Sequence, residues 1–148
     1  MCIRDSDETS IVHGDYRLDN MILKNNKVIG ILDWELSTLG HPIADFSYHC
    51  LSWRTQEAFW DQAKLKELGI PSEREYMEMY CENSGKDLSK NWEFYMAFNM
   101  FKIAGILQGI LGRVRDGTAA SKHAEERGKL VYPLSAAAWS TIEENFLK

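Results

Sequence analysis

Two short apolar runs joined by a pair of asparagines constrain this 148-residue chain most. Residues 21–24 and 27–32 are rich in aliphatic side chains, and Asn25 and Asn26 between them tolerate positive φ. A two-residue connection of this kind predicts a tight β-hairpin. The turn sets the register, which predicts these cross-strand pairs: Lys24 with Lys27, Ile22 with Ile29, and Asn20 with Ile31.

Polar residues stand at both ends of the predicted hairpin. Asn20 precedes it, and Asp33 lies two residues beyond Ile31, on the same face as Asn20. The register makes these two residues diagonal neighbours, with Cα atoms roughly 7–8 Å apart. Amide and carboxylate oxygens are ligands that Mg²⁺ prefers, with water and phosphate oxygens in its remaining positions. The hairpin therefore predicts a cation site.

Upstream of the hairpin stands His-x-Asp, formed by His13 and Asp15, with Asn20 five residues after the aspartate. Phosphoryl transfer needs one Asp to orient the acceptor hydroxyl and take its proton. It also needs an Asn and a second Asp to hold Mg²⁺ against the nucleotide phosphates. The pattern predicts these roles for Asp15, Asn20 and Asp33.

Residues 11–53 resemble the aminoglycoside phosphotransferase and choline kinase-like family, relatives of the protein kinases. The resemblance lies in His-Gly-Asp-Tyr-Arg-Leu-Asp-Asn at 13–20, Leu-Asp-Trp-Glu-Leu-Ser-Thr-Leu-Gly at 32–40 and Pro-Ile-Ala-Asp-Phe at 42–46. It is strongest to phosphotransferase domains related to those fused to acyl-CoA dehydrogenases. The implied fold is α+β but mostly helical: the C-terminal lobe of a protein-kinase-like fold, with a small β-hairpin that carries the catalytic and metal residues.

The resemblance implies an ATP- and Mg²⁺-dependent phosphotransferase that acts on the hydroxyl of a small molecule, such as a hydroxyacyl-CoA. Asp15 is then the catalytic base, and Asn20 and Asp33 bind Mg²⁺. The branch also implies fusion to, or association with, an acyl-CoA dehydrogenase.

Four further residues have candidate roles. Arg17 stands two residues after the base, where protein kinases place a cation that touches the transferred phosphate. We expect His13 to brace the loop by hydrogen-bonding backbone near Asp33. Glu35 shares a strand face with Asp33 if the strand continues, which makes it a third candidate metal ligand. Asp45 either serves the helix dipole or, as the resemblance implies, ties down the loop backbone.

Residues 1–10 are polar, without strand periodicity, and we expect them to be disordered or artefactual. Residues 11–148 then form the C-terminal lobe of the kinase-like domain. No phosphate-covering loop or Lys–Glu pair is found before Ile11, so we expect the N-terminal lobe to be missing and the chain alone to be inactive.

After Glu35 the sequence predicts helices. One begins at Gly40-His41-Pro42, and its inward stripe consists of Ile43, Phe46, Cys50 and Leu51. The other predicted helices span 55–68, 72–84 with Ser72 and Glu75 as a capping box, about 89–115, and 119–146 divided at Pro133. Glycines at 105, 109 and 112 fit close helix packing better than a phosphate loop.

The charge pattern argues against nucleic acid as a partner. The chain carries 17 Lys and Arg against 22 Asp and Glu, with both signs scattered along it. Its three cysteines have no paired spacing, which suits a reducing compartment. The most apolar window, 94–111, contains three interrupting polar side chains and predicts a buried helix. We therefore expect no nucleic acid, no membrane and a cytoplasmic protein.

Two other classes of protein remain as alternatives. One is a catalytically silent kinase-like binding module, although Asp15, Asn20 and Asp33 are all present. The other is a metal-dependent hydrolase, whose ligands would be His13, Asp15, His41, Asp45 and His49.

The acceptor is not fixed by these motifs. Aromatic and cationic residues near the loop and on the helices are candidates for its site, although each is more often a core residue: Tyr16, Trp34, Tyr48, Trp53, Arg54, Trp92 and Tyr95. Acidic pairs at 125–126 and 143–144 suit an aminoglycoside, but a solvated helix face explains them equally well.

Overall fold

The structure is a computed structural model that describes residues 8–54, 62–88 and 91–147. The chain divides into two units, residues 1–90 and 91–148. The predicted class is confirmed: the described residues are mostly helical and form two small antiparallel strand pairs. The strands are β1 (Ser10–Val12), β2 (Met21–Lys24), β3 (Lys27–Ile31) and β4 (Thr38–Gly40). The helices are α1 (Pro42–Arg54), α2 (Gln62–Glu67), α3 (Glu73–Ser84), α4 (Trp92–Arg115), α5 (Ala124–Lys129) and α6 (Val131–Phe146).

The hairpin β2–β3 forms, but its predicted register is only half right. Asn25 and Asn26 have φ of 50° and 59°, as a two-residue turn with two left-handed residues requires. Pairs next to the turn match the prediction, and a β-bulge then shifts the pairing by one residue, so that Ile22 faces Gly30 and not Ile29. One single-turn 3-10 helix, Leu18–Asn20, directly precedes β2, and another, Trp34–Leu36, follows the hairpin.

The second strand pair, β1 with β4, was not predicted. Ser10 pairs with Gly40 and Val12 with Thr38, so β1 starts one residue before the predicted domain boundary at Ile11. Residues 1–7 lie outside the described residues. This pair brings the start of the loop at His13 close to the start of α1, which follows β4 after a single residue.

Helix α1 begins at Pro42 as predicted, and its predicted inward stripe is confirmed. Ile43, Phe46, Cys50 and Leu51 are all buried. Burial raises the pKa of the Cys50 thiol, which suits a packing role. Proline is tolerated at the first helical position because its missing N–H has no partner inside the helix.

Helix α3 has the predicted capping box. The Ser72 hydroxyl accepts a hydrogen bond from the Glu75 N–H, and the Glu75 carboxylate accepts one from the Ser72 N–H at 2.8 Å. Gly85 ends the helix in the left-handed conformation, with φ of 68°. The helix predicted at 55–68 is described only as α2, since 55–61 lie outside the described residues.

We expect Ser72→Ala to lower the free energy of unfolding by about 1 kcal/mol, because the substitution removes one half of the capping box. Urea denaturation followed by circular dichroism measures the change. Ser140→Ala is the matched control, since Ser140 is an exposed serine inside α6 whose hydroxyl donates only to Glu144. An equal loss in both variants would contradict the capping role.

In the second unit, α5 and α6 pack on α4. Met96 and Met100 are buried as predicted, but no residue of α4 after Ala104 is buried, and Phe101 is 75% exposed. The prediction of a buried helix therefore holds only for the first half of α4. By length and composition alone α4 is also apolar enough to cross a membrane, a test that core helices of soluble proteins pass as well.

Two local predictions for this unit are corrected. The last helical stretch divides at Leu130, and Pro133 lies in the first turn of α6, where a missing N–H costs no hydrogen bond. Gly105 and Gly112 have no described atom within 4 Å of an added Cβ, so they do not provide close packing. Gly128 does, because a Cβ there would lie 2.5 Å from the Leu111 side chain. The predicted start of α4 at Ser89 lies outside the described residues.

Candidate functional site

The loop from His13 to Asn20 is fixed to α1 through Asp45. One carboxylate oxygen of Asp45 accepts a hydrogen bond from the His13 N–H, and the other accepts from the Gly14 N–H at 2.7 Å. Gly14 has φ of 85°, and a Cβ there would lie 2.7 Å from the Leu36 carbonyl oxygen. Of the two interpretations of Asp45, the structure favours the one in which it ties down the loop, since both oxygens bind loop backbone.

The predicted brace by His13 is present. Its Nε2 lies 2.8 Å from the Leu32 carbonyl oxygen, and its Nδ1 accepts a hydrogen bond from the Asp15 N–H at 3.3 Å. Because Nδ1 accepts, the neutral ring carries its proton on Nε2 and donates it to Leu32. The ring is buried and packs on the indole of Trp34, with centroids 4.7 Å apart. His13 therefore connects the loop to the chain immediately before Asp33.

The Asp15 carboxylate, about one-fifth exposed, has a protein donor on each oxygen. Oδ1 accepts from the Tyr48 hydroxyl at 2.8 Å, and Oδ2 accepts from the Asn20 side-chain amide at 2.9 Å. The same amide also donates to the Asp15 carbonyl oxygen at 2.9 Å. Arg17 Nε lies 3.6 Å from Oδ2, and its guanidinium also contacts Asp19 at 3.2 Å. The carboxylate is thus held in one orientation and is still reachable from solvent.

One face of α1 contacts four consecutive loop residues. Asp45 binds the backbone of residues 13 and 14, Tyr48 binds the side chain of Asp15, and His49 Nδ1 lies 3.3 Å from the Tyr16 carbonyl oxygen. Positions 45, 48 and 49 have the i, i+3, i+4 spacing of one helix face. Burial lowers the pKa of His49, so the ring is neutral at physiological pH. Three residues of α1 thus hold residues 13–16 of the loop.

Asn20 and Asp33 flank the hairpin in sequence, but the predicted pairing that made them diagonal neighbours on one face is wrong. Met21, and not Asn20, pairs with Ile31, and Asn20 lies in the single-turn helix Leu18–Asn20. The Asn20 carbonyl oxygen of the backbone accepts a hydrogen bond from the Leu32 N–H at 2.8 Å, so the chain segments adjoin despite the shifted register. Asp33 is exposed, has left-handed φ of 64°, and its carboxylate has no hydrogen bond or ion pair among the described residues. Such a non-glycine conformation is uncommon and is concentrated at functional sites.

Asn20 and Asp33 each offer an oxygen of the kind that Mg²⁺ binds. The Asn20 amide nitrogen is engaged with Asp15, which leaves the amide oxygen for a cation, and Asp33 offers an exposed carboxylate. The prediction that Glu35 shares a strand face with Asp33, on which its role as a third ligand depended, is wrong. Strand β3 ends at Ile31 and a 3-10 turn begins at Trp34, so Glu35 does not share a strand face with Asp33.

The geometry does not support the metal-hydrolase alternative. In the described part of the chain no group of three or more His, Cys, Asp or Glu side chains is arranged to hold a metal ion. His13, Asp45 and His49 instead contact backbone atoms, as described above, and His41 Nδ1 accepts from the Ile43 N–H at 3.3 Å.

The aromatic residues proposed for the acceptor site have different surroundings. Trp53 donates to the Pro71 carbonyl oxygen at 3.0 Å and stacks on Tyr76, and Arg54 is paired with Glu73 at 2.7 Å. Trp92, on α4 in the second unit, is buried. Tyr48 alone among the seven has a side-chain bond to the Asp15 carboxylate in the described structure. Its position was predicted, but its contact was not, because the two residues are 33 positions apart.

The mostly helical fold, the hairpin and the braced His-Gly-Asp loop define a kinase-like phosphotransferase lobe. A family model described as the phosphotransferase enzyme family matches residues 2–80. The chain belongs to this family.

Relatives and a solved structure agree with that assignment. The chain is 45% identical to acyl-CoA dehydrogenase family member 10 of Mus musculus, over 88% of this chain and 13% of that protein. It is 36% identical to acyl-CoA dehydrogenase family member 11 of Homo sapiens, over 94% of this chain and 19% of that protein. A crystal structure of a "putative aminoglycoside phosphotransferase" from Ralstonia eutropha superimposes with a TM-score of 0.82 and 46% identity, covering 92% of this chain and 43% of that one.

The predicted branch is therefore confirmed, since both relatives are named as acyl-CoA dehydrogenase family members. The chain spans less than a fifth of the length of either relative.

Proposed function

We propose that this chain carries the phosphoryl-transfer centre of an ATP- and Mg²⁺-dependent phosphotransferase that acts on the hydroxyl group of a small molecule. The observation that carries the proposal is the Asp15 carboxylate, oriented by Asn20 and Tyr48 on a loop that Asp45 fixes. Positioning and electrostatic stabilisation supply most of the catalysis in phosphoryl transfer, so a rigid, partly exposed carboxylate is the main requirement.

Each residue of the centre has a role under this proposal. Asp15 would accept the proton of the acceptor hydroxyl as its oxygen bonds to the terminal phosphorus of ATP and the bond from that phosphorus to the ADP oxygen breaks. Asn20 and Asp33 would hold Mg²⁺, which when bound neutralises charge on the nucleotide phosphates. Arg17, whose side chain is about half exposed, would stabilise negative charge on the transferred group. His13 does not touch substrate under this proposal. It holds the loop against the chain next to Asp33.

The nature of the relatives supports a hydroxyacyl-CoA, or a related hydroxylated metabolite, as the acceptor. Two of them are named as acyl-CoA dehydrogenase family members. A fused or associated dehydrogenase would act on an acyl-CoA, the same class of compound as the proposed acceptor. A cytoplasmic location remains part of the proposal, as does inactivity of this chain by itself.

The test is ATP turnover by the full-length protein with Mg²⁺ and a panel of hydroxyacyl-CoA thioesters and small alcohols. We expect Asn20→Ala and Asp33→Ala each to lower turnover by at least about a hundredfold and to raise the Mg²⁺ concentration needed for half-maximal rate. Asn26→Gly is the matched control, because it removes an amide at the hairpin turn and keeps a residue that accepts positive φ. Unchanged Mg²⁺ dependence in both variants would overturn the metal assignment.

A further inference from the structure

The Tyr48 hydroxyl donates a hydrogen bond of 2.8 Å to Asp15 Oδ1. Asn20 binds the other carboxylate oxygen, Oδ2. A carboxylate bound on one oxygen alone can rotate about its Cβ–Cγ bond, since this terminal torsion has broad minima. Donors on both oxygens remove that freedom. The second donor therefore determines which lone pairs of Asp15 are left for the acceptor hydroxyl.

The direction of the hydrogen bond is fixed by chemistry. Burial, the bond to Asp15 and the negative charge of Asp15 together raise the pKa of Tyr48 to about 12, so the phenol is protonated at physiological pH and donates. Arg17 acts in the opposite sense on Tyr48, but more weakly. The pair is a charge-assisted bond, the stronger type of hydrogen bond.

The position of Tyr48 on α1 makes the donor rigid. Asp45 and His49 on the same helix face bind the backbone on either side of Asp15. The buried residues Ser47 and Cys50 flank this face in sequence and anchor the helix in the core. The hydroxyl is consequently delivered from a fixed element and not from a mobile loop.

From this geometry we infer that Tyr48 is a positioning residue of the phosphotransferase. Its hydroxyl holds the Asp15 carboxylate in the rotamer that receives the proton of the acceptor hydroxyl. The inference rests on the proposed function. No proton passes through Tyr48: Asp15 receives the acceptor proton, and the phenol keeps its own.

The test is Tyr48→Phe in the full-length protein, which keeps the ring and removes only the hydroxyl. We expect kcat with the best hydroxyacyl-CoA of the panel to fall roughly ten- to hundredfold, with KM for ATP changed by less than about threefold. In an Asp15→Asn background the same substitution should have little further effect, because the phenol acts through that carboxylate.

Tyr76→Phe is the matched control, since Tyr76 is a similarly half-buried tyrosine of the same unit whose hydroxyl has no hydrogen bond among the described residues. Full activity, or a gain of activity, in Tyr48→Phe would overturn the inference while leaving the proposed function in place, provided that Asp15→Asn is inactive. Equal losses in the Tyr48 and Tyr76 variants, with equal losses of thermal stability, would also overturn it. A wild-type protein that never consumes ATP would overturn both.

Discussion

Replacing Asp15 by Ala should lower kcat by about 10²–10⁴-fold, the contribution typical of a general base. The loss should be large because the side chains of Asn20, Tyr48 and Arg17 all contact this carboxylate. KM for ATP should change little, since Asp15 is assigned to the acceptor hydroxyl and not to the nucleotide. Steady-state kinetics of the full-length protein with a saturating acceptor measure both values.

Two further variants separate the chemistry from the fold. Asp15→Asn keeps the shape of the side chain and should be nearly as inactive as Asp15→Ala, since an amide cannot take the proton. Asp19→Ala removes a neighbouring carboxylate that is 77% exposed, and its rate should stay within about twofold of wild type. An active Asp15→Asn variant would exclude Asp15 as the base.

Asp45→Ala should lower the free energy of unfolding and the rate together. The substitution removes the two carboxylate oxygens that accept from the His13 and Gly14 N–H groups. Loss of its acceptor costs the amide of the buried His13 about 1–3 kcal/mol. The loop then shifts, and a misplacement of about 1 Å lowers rates by about a hundredfold. Denaturant unfolding and kcat measure the two effects.

The alternative for Asp45, a charge that serves only the dipole of α1, predicts a much smaller loss of about 0.3–1 kcal/mol. Asp45→Asn distinguishes the two interpretations, because it removes the charge and keeps one acceptor oxygen. If Asp45 fixes the loop, Asn should recover part of the stability and rate lost in Ala. Equal, small losses in Asn and Ala would show that only the charge matters.

Local patterns predicted the elements that local physics determines. The turn at Asn25-Asn26, the capping box at Ser72 and the buried stripe of α1 depend on residues within a few positions of each other. The polar residues of the centre could be found because their spacing is set by one loop and one hairpin.

Features that depend on distant partners could not be predicted. The bulge at Ile29 and the strand at 38–40 have no local signature in the sequence. The bulge depends on the pairing of β3 with β2, and the strand depends on its pairing with β1. The contact of Tyr48 with Asp15 joins residues 33 positions apart. Glu35 was misplaced because strand periodicity was extended past Ile31, where the chain turns to place Asp33 in the left-handed conformation.

The most direct measurement is the fate of the terminal phosphate of ATP, followed by ³¹P nuclear magnetic resonance in the full-length protein with Mg²⁺ and hydroxyacyl-CoA acceptors. Phosphoryl transfer predicts one acceptor phosphomonoester for each ADP formed, and loss of both products in Asp15→Asn. An unchanged acceptor, whether ATP is left intact or its phosphate is released only to water, would contradict the assignment of this centre to phosphoryl transfer.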